Sequence, residues 1–268
     1  MHFDAFVSRC RQLWPEFADP ARLAQSRHPS DRYLSRVLRE IPGMATENKL
    51  ALLNAAVSAL GKDEVYVEVG CYKGASLVGA ASGNPGARIF ACDNFSQFDG
   101  VGEALRRTLD AHTPPGQVTF RDQDFRNFFV AAPWRPARIG AYFYDGGHSF
   151  RDQYDGVALA LPYLASDALI IVDDTNKRAA RSANQLVARA VPGFELILDL
   201  RTARNHSPTW WNGIQVYRYQ RPPGAKEVRP PGPGFAIRKF IYDDILLEMK
   251  HRRRAFRRKI KDRLQKNK

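Results

Sequence analysis

Apolar positions along this chain repeat with two periods. In the first forty residues Phe3, Phe6, Val7, Leu13 and Trp14 give one helical face, and Pro20 and Pro29 interrupt it. Ser30 is placed to cap a further helix over residues 31–40. A longer helix fits residues 46–60, with Leu50, Leu53, Val57 and Leu60 at helical spacing and Gly61 as its stop. Beyond it the period changes. Runs rich in β-branched and aromatic residues cover 65–69, 88–92, 117–120, 139–144, 168–172, 195–200 and 214–219. Helical patterns separate most of them, which predicts an α/β, doubly wound, mainly parallel seven-stranded sheet. The last two runs are joined by residues 201–213, too polar and interrupted for a crossover helix, so they are expected to close the sheet as an antiparallel pair.

The candidate chemistry gathers where strands end. After the run 65–69, Gly70 and Gly74 allow a sharp turn, and the small apolar segment 75–81 is expected to open a helix whose free N–H groups face a crevice. No Gly-Lys-Ser/Thr follows, and the third glycine of a dinucleotide fingerprint is missing. In an open parallel sheet ligands bind at the carboxyl ends of strands. Asp93 stands at such an end, about twenty residues past Gly74, where an acid can accept from two ribose hydroxyls or cap a helix. Asp124 and Phe125 put a carboxylate beside a ring, suited to an adenine edge and face.

Asp145, Asp173 and Asp174 end adjacent strands and direct three carboxylates at one crevice, either around a cation or as capping acids held apart by water. His148, three residues past Asp145, is either a proton acceptor near neutral pH or a loop histidine bonded to Asp145 or to backbone. Trp210 and Trp211 are cleft wall or core.

Charge changes the picture only at one end. The net charge is +13, but residues 251–268 carry ten Lys or Arg against one Asp, +9, which leaves +4 for the rest. Three cysteines, Cys10, Cys71 and Cys92, match no metal or redox spacing, and neither a signal sequence nor a membrane-length apolar run is visible. A cytoplasmic protein with reduced thiols is expected. The organisation expected is an N-terminal helical cap over 1–45, a central domain over 46–220, a Pro/Gly linker over 221–234 and a basic amphipathic helix over 235–268. The apolar stripe Ile237, Phe240, Ile241, Ile245, Met249, Phe256, Ile260 and Leu264 suits either docking or a solvated helix. Residues 250–268 can meet RNA or an anionic surface, so a nucleic-acid or surface-binding protein is one reading of the chain. A homo-oligomer is compatible with it.

With these residues in place, residues 41–219 resemble the class I S-adenosylmethionine-dependent methyltransferases, and within them the small metal-linked O-methyltransferases of catechol type, the macrocin-type sugar methyltransferases and the cephalosporin-hydroxylase-like proteins. The resemblance implies that Glu68, Gly70, Tyr72, Gly74 and Ser76 meet the methionine part of the cofactor, Asp93 the ribose, and Asp124 and Phe125 the adenine. It implies a magnesium ion on Asp145, Asp173 and Asp174, and methyl transfer to a hydroxyl of a sugar or phenolic small molecule with His148 as base. The same fold without metal, using Asp145 and His148, is the alternative. Asp173-Asp174 departs from the Asp-Asn of catechol-type enzymes, and His148 replaces their nearby lysine.

Overall fold

A computed structural model of the chain describes residues 1–98, 100–225 and the single positions 241, 249 and 253. Apart from those three positions, the expected basic helix lies outside the described residues, as does most of the linker before it.

Helices α1 (Phe3–Leu13), α2 (Pro20–Leu23), α3 (Ser35–Glu40) and α4 (Glu47–Ser58) precede the first strand. Ser30 does not cap as expected. Asp31 turns its carboxylate onto the N–H of Tyr33, and Arg32 reaches Glu47 in a bidentate pair, so the chain stays non-helical until Ser35. α4 starts as its sequence indicates, with Thr46 Oγ1 accepting from the Lys49 N–H at 3.2 Å.

From β1 (Glu64–Val69) onward strands and helices alternate: α5 (Ala75–Ala81), β2 (Ile89–Asp93), α6 (Gly102–His112), β3 (Val118–Asp122), α7 (Phe125–Ala131), β4 (Arg138–Tyr144), α8 (Phe150–Ala160), β5 (Leu164–Asp173) and α9 (Arg178–Ala190). Two last strands, β6 (Phe194–Leu200) and β7 (Ile214–Gln220), complete a seven-stranded sheet in the order β3-β2-β1-β4-β5-β7-β6. β7 runs antiparallel to β5 and β6, and the other pairs are parallel. The third run reaches Asp122, two residues beyond its expected end.

Period-2 alternation divides the core. Val65, Val67 and Val69 face α7, α8 and α9 with Tyr142 and Tyr144, whereas Tyr66 and Phe143 face α1, α4, α5 and α6. Both faces of the central strands are therefore covered, as a mainly parallel sheet requires. The N-terminal helices share the second of these clusters: Phe6, Trp14 and Leu23 pack with Leu50, Leu53 and Trp210.

Trp210 belongs to this core. Its ring lies 5.5 Å from that of Trp14, and its Nε1 donates to the Leu23 carbonyl at 2.8 Å. Trp14 Nε1 donates in turn to Asn48 Oδ1, and Asn48 Nδ2 donates to the carbonyls of Ser26 and Thr209. Trp210→Phe should remove the first of these bonds and some packing, lowering stability by roughly 1–2 kcal/mol, while Trp210→Ala should lower it by about 3–5 kcal/mol. Urea unfolding of the two variants checks this, and equal midpoints for parent and Trp210→Ala would refute the docking of the N-terminal helices through Trp210.

Candidate active site

The strand order reverses between β1 and β4, whose carboxyl ends open a cleft of about 370 Å³. Its first wall is the glycine turn. Gly70, at φ 86°, passes so close to β4 that an added Cβ would lie 2.2 Å from the Asp145 carbonyl oxygen. Gly74 caps α5 in the left-handed conformation. Asp93 fixes this turn from β2: Oδ2 accepts from the N–H groups of Cys71 (2.8 Å) and Tyr72 (3.0 Å), and Oδ1 accepts from Phe95 (2.8 Å). Asp124 caps α7 through the Arg126 N–H, and the Arg126 guanidinium covers the Phe125 ring at 4.4 Å. The expected cofactor residues therefore divide into two groups. Gly70, Tyr72, Asp93, Asp124 and Phe125 line the cleft, whereas Glu68, Gly74 and Ser76 do not.

Glu68 is fully buried and accepts from Tyr66 Oη (2.7 Å) and Ser76 Oγ (2.5 Å). Burial raises its carboxyl from 4.5 to about 7, against the lowering influence of the two hydroxyls and Lys49. A raised folded-state value means that the folded protein holds this proton more tightly than the unfolded chain. The resulting stabilisation is complete below pH 4.5 and is lost as pH rises through about 7.

The opposite wall is charged. Its acids do not converge as one set of three. Asp173, 1% exposed, is ion-paired with the buried ammonium of Lys49, which also lies 3.9 Å from Asp145 Oδ2 and donates to the Met44 carbonyl. Asp174 has the left-handed φ of 56°, and its carboxylate meets partners other than Lys49. Its Oδ2 meets His148 Nε2 at 2.7 Å and Lys177 Nζ at 2.8 Å, and its Oδ1 accepts from Asn212 Nδ2 at 2.5 Å. His148 thus pairs with Asp174 instead of Asp145 or backbone, and its buried Nδ1 has no partner among the described residues. One ligand atom each from Asp145, His148 and Asp174 lies within 4.8 Å of the others.

Burial resists ionisation of Asp174, but the His148 hydrogen bond and Lys177 outweigh it and hold the carboxyl well below its ordinary value. Burial at the cleft floor and the adjacent Asp173 push Asp145 well up, against the pull of Lys49. For Lys49 burial works against the charge, yet Asp173 and Asp145 more than offset it and the ammonium is held. Trp211 stands at the rim, its ring 5.0 Å from that of His206. Of the two tryptophans, one is core and one is wall.

Residues 67–175 match the family described as a methyltransferase domain. The middle of the chain is thus similar to methyltransferase domains. No curated relative matches it in sequence. Solved structures similar to it include an O-methyltransferase from Bacillus cereus in complex with SAH (15% identity, TM-score 0.56, covering 76% of this chain and 97% of that one). The O-methyltransferase TomG from Streptomyces achromogenes, involved in tomaymycin synthesis and bound to SAM, is similar at 15% identity and TM-score 0.55, covering 79% of this chain and 98% of that one. A putative caffeoyl-CoA O-methyltransferase from Staphylococcus aureus aligns at 14% identity and TM-score 0.53, covering 76% and 99%. At these identities the likeness is one of fold. Lys49, Lys177 and Asn212 escaped the sequence reading, because each meets the strand-end acids through the tertiary fold or a loop without periodic signal. Among the described residues no helix is long and apolar enough to cross a membrane, and all three cysteines are free and buried.

Glu68→Gln should abolish the decline described above. Relative to the parent it should gain about 3 kcal/mol of unfolding free energy between about pH 4.5 and about pH 8. Urea unfolding across that interval measures the gain, and parallel pH curves for the two proteins would contradict the buried, raised carboxyl.

Proposed function

We propose that this chain transfers the methyl group of S-adenosylmethionine to a hydroxyl of a sugar or phenolic small molecule. The observation that carries the reading is the cleft itself, with the Asp93-braced glycine turn on one side and the His148–Asp174 pair on the other. The cofactor's methionine part would lie along Gly70 and Tyr72, its ribose against the lone pairs that Asp93 has left, and its adenine against Asp124 and Phe125. Glu68 and Ser76 would act indirectly, by holding β1 to α5. The acceptor would enter past Met44, His206 and Trp211.

The sulfonium is already activated, so the protein's task is to position the acceptor oxygen and remove its proton. As the oxygen–carbon bond forms and the carbon–sulfur bond breaks, the hydroxyl proton passes to His148. Nε2 faces the Asp174 carboxylate, which steadies the imidazolium, and Nδ1, unbonded among the described residues, would take the proton once the ring turns it out of its buried position. The product cofactor departs without the sulfonium charge.

The magnesium set expected on Asp145, Asp173 and Asp174 does not fit these residues. Asp173 is taken by Lys49, and both oxygens of Asp174 accept from protein donors. The alternative set, Asp145, His148 and Asp174, would have to give up the His148–Asp174 bond and the Lys177 pair. Two ammonium groups already balance two of the three carboxylates, Lys49 on Asp173 and Lys177 on Asp174. We therefore favour the metal-independent route, with Asp174 in the orienting role that the sequence suggested for Asp145.

Incubation with methyl-labelled S-adenosylmethionine and a panel of sugar and phenolic acceptors tests the reading by label transfer. His148→Ala should lower turnover by about a hundred-fold with cofactor affinity unchanged, and excess chelator should leave the parent's rate as it was. A rate that His148→Ala leaves intact removes the base. A rate lost to chelator and restored by magnesium restores the metal.

A further inference from the structure

We propose that the Lys49 ammonium is a built-in cation of the cleft, standing where a divalent ion would sit against Asp145 and Asp173 and fixing the ends of β4 and β5 relative to each other. It is a positioning residue. Lys49 does not line the cleft, so it acts on a reacting substrate only through those two acids.

Three features of its place set it apart from an ordinary lysine. It lies in the first turn of α4, beside the Thr46 cap, where the helix dipole and the unpaired N–H groups disfavour positive charge. Its side chain is 2% exposed, so the ammonium cannot reach water. The acid of that first turn does not serve it, because Glu47 is engaged by Arg32. What offsets these disadvantages is the cluster from the sheet: Asp173 in contact, Asp145 at 3.9 Å and the Met44 carbonyl at 3.3 Å. A buried charge of this kind persists only when paired and hydrogen-bonded.

The same contacts exclude a second cation. A divalent ion ligates carboxylate oxygens at about 2.0–2.6 Å, a space that the ammonium already fills at Asp173 Oδ2 and borders at Asp145 Oδ2. Lys177 meets Asp174 in a comparable way from the solvent side, with 41% of its side chain exposed. Each strand-end acid of β5 thus has its own ammonium, one buried and one at the surface. The proposal rests on the transferase reading only for its catalytic consequence, since the ion-pair geometry and the test below involve neither cofactor nor acceptor.

The test is a titration of the full chain with Mn²⁺, followed by the electron paramagnetic resonance signal of the free ion. The parent should leave the signal undiminished. Lys49→Met, which frees Asp173 and Asp145 of their ammonium, should take up about one equivalent, and the ion should raise its melting temperature while leaving the parent's unchanged. Lys49→Met/Asp173→Asn should lose that uptake, because the exposed charge is removed together with the lysine. A purely space-filling role for Lys49 would produce no such gain of metal binding. Uptake of one equivalent by the parent, abolished by Asp145→Asn, would overturn the proposal whether or not the lysine variants fold. A folded Lys49→Met that binds no ion would overturn it equally. Failure of the transferase reading would appear separately, as absence of cofactor binding by a parent that still excludes Mn²⁺.

Discussion

Acids from neighbouring strand ends can share one cleft wall only if their charge is compensated, and here the compensation comes from the chain itself. Lys49 reaches from α4 to Asp173 across 124 positions of sequence, and Lys177 reaches Asp174 from three positions away. The first of these pairs ties an N-terminal helix to the central sheet. Because a buried ammonium without its carboxylate is far more costly than the pair, α4, β4 and β5 are locked in one arrangement. The cleft floor takes its shape from that lock, and the His148–Asp174 pair stands on it.

The sheet was readable from the chain because its alternation is simple. Val65, Val67 and Val69 point one way and Tyr66 the other, and the turn at Gly70 is dictated by its approach to Asp145. The antiparallel closure by β6 and β7 followed from a connection too polar to be a helix. Element ends were harder. Ser30 looked like a cap until Asp31 and Arg32 found other partners, a competition between local bonds that periodicity does not record.

At the candidate site the strand-end positions were legible, and their pairings were not. Residue order could place Asp145, His148, Asp173 and Asp174 at adjacent ends. It could not show that Asp173 and Asp174 take different ammonium partners, nor that Lys49 lies near two of the acids. Trp210 and Trp211 are adjacent in the chain with opposite fates, one bonded to Leu23 in the core and one at the cleft rim. Asp93 had two readings, ligand-facing acid and cap, and it both bonds backbone N–H groups and lines the cleft, as Asp124 does.

The central claim is that the crevice between β1 and β4 binds S-adenosylmethionine through the turn that Asp93 braces. Calorimetric titration of S-adenosylmethionine into the parent and into Asp93→Ala, with the fold of each monitored by circular dichroism, tests it most directly. One site in the parent, weakened about ten- to a hundred-fold in a folded Asp93→Ala, is the predicted result. Equal affinity for the two proteins, or no binding to the parent, would contradict the account.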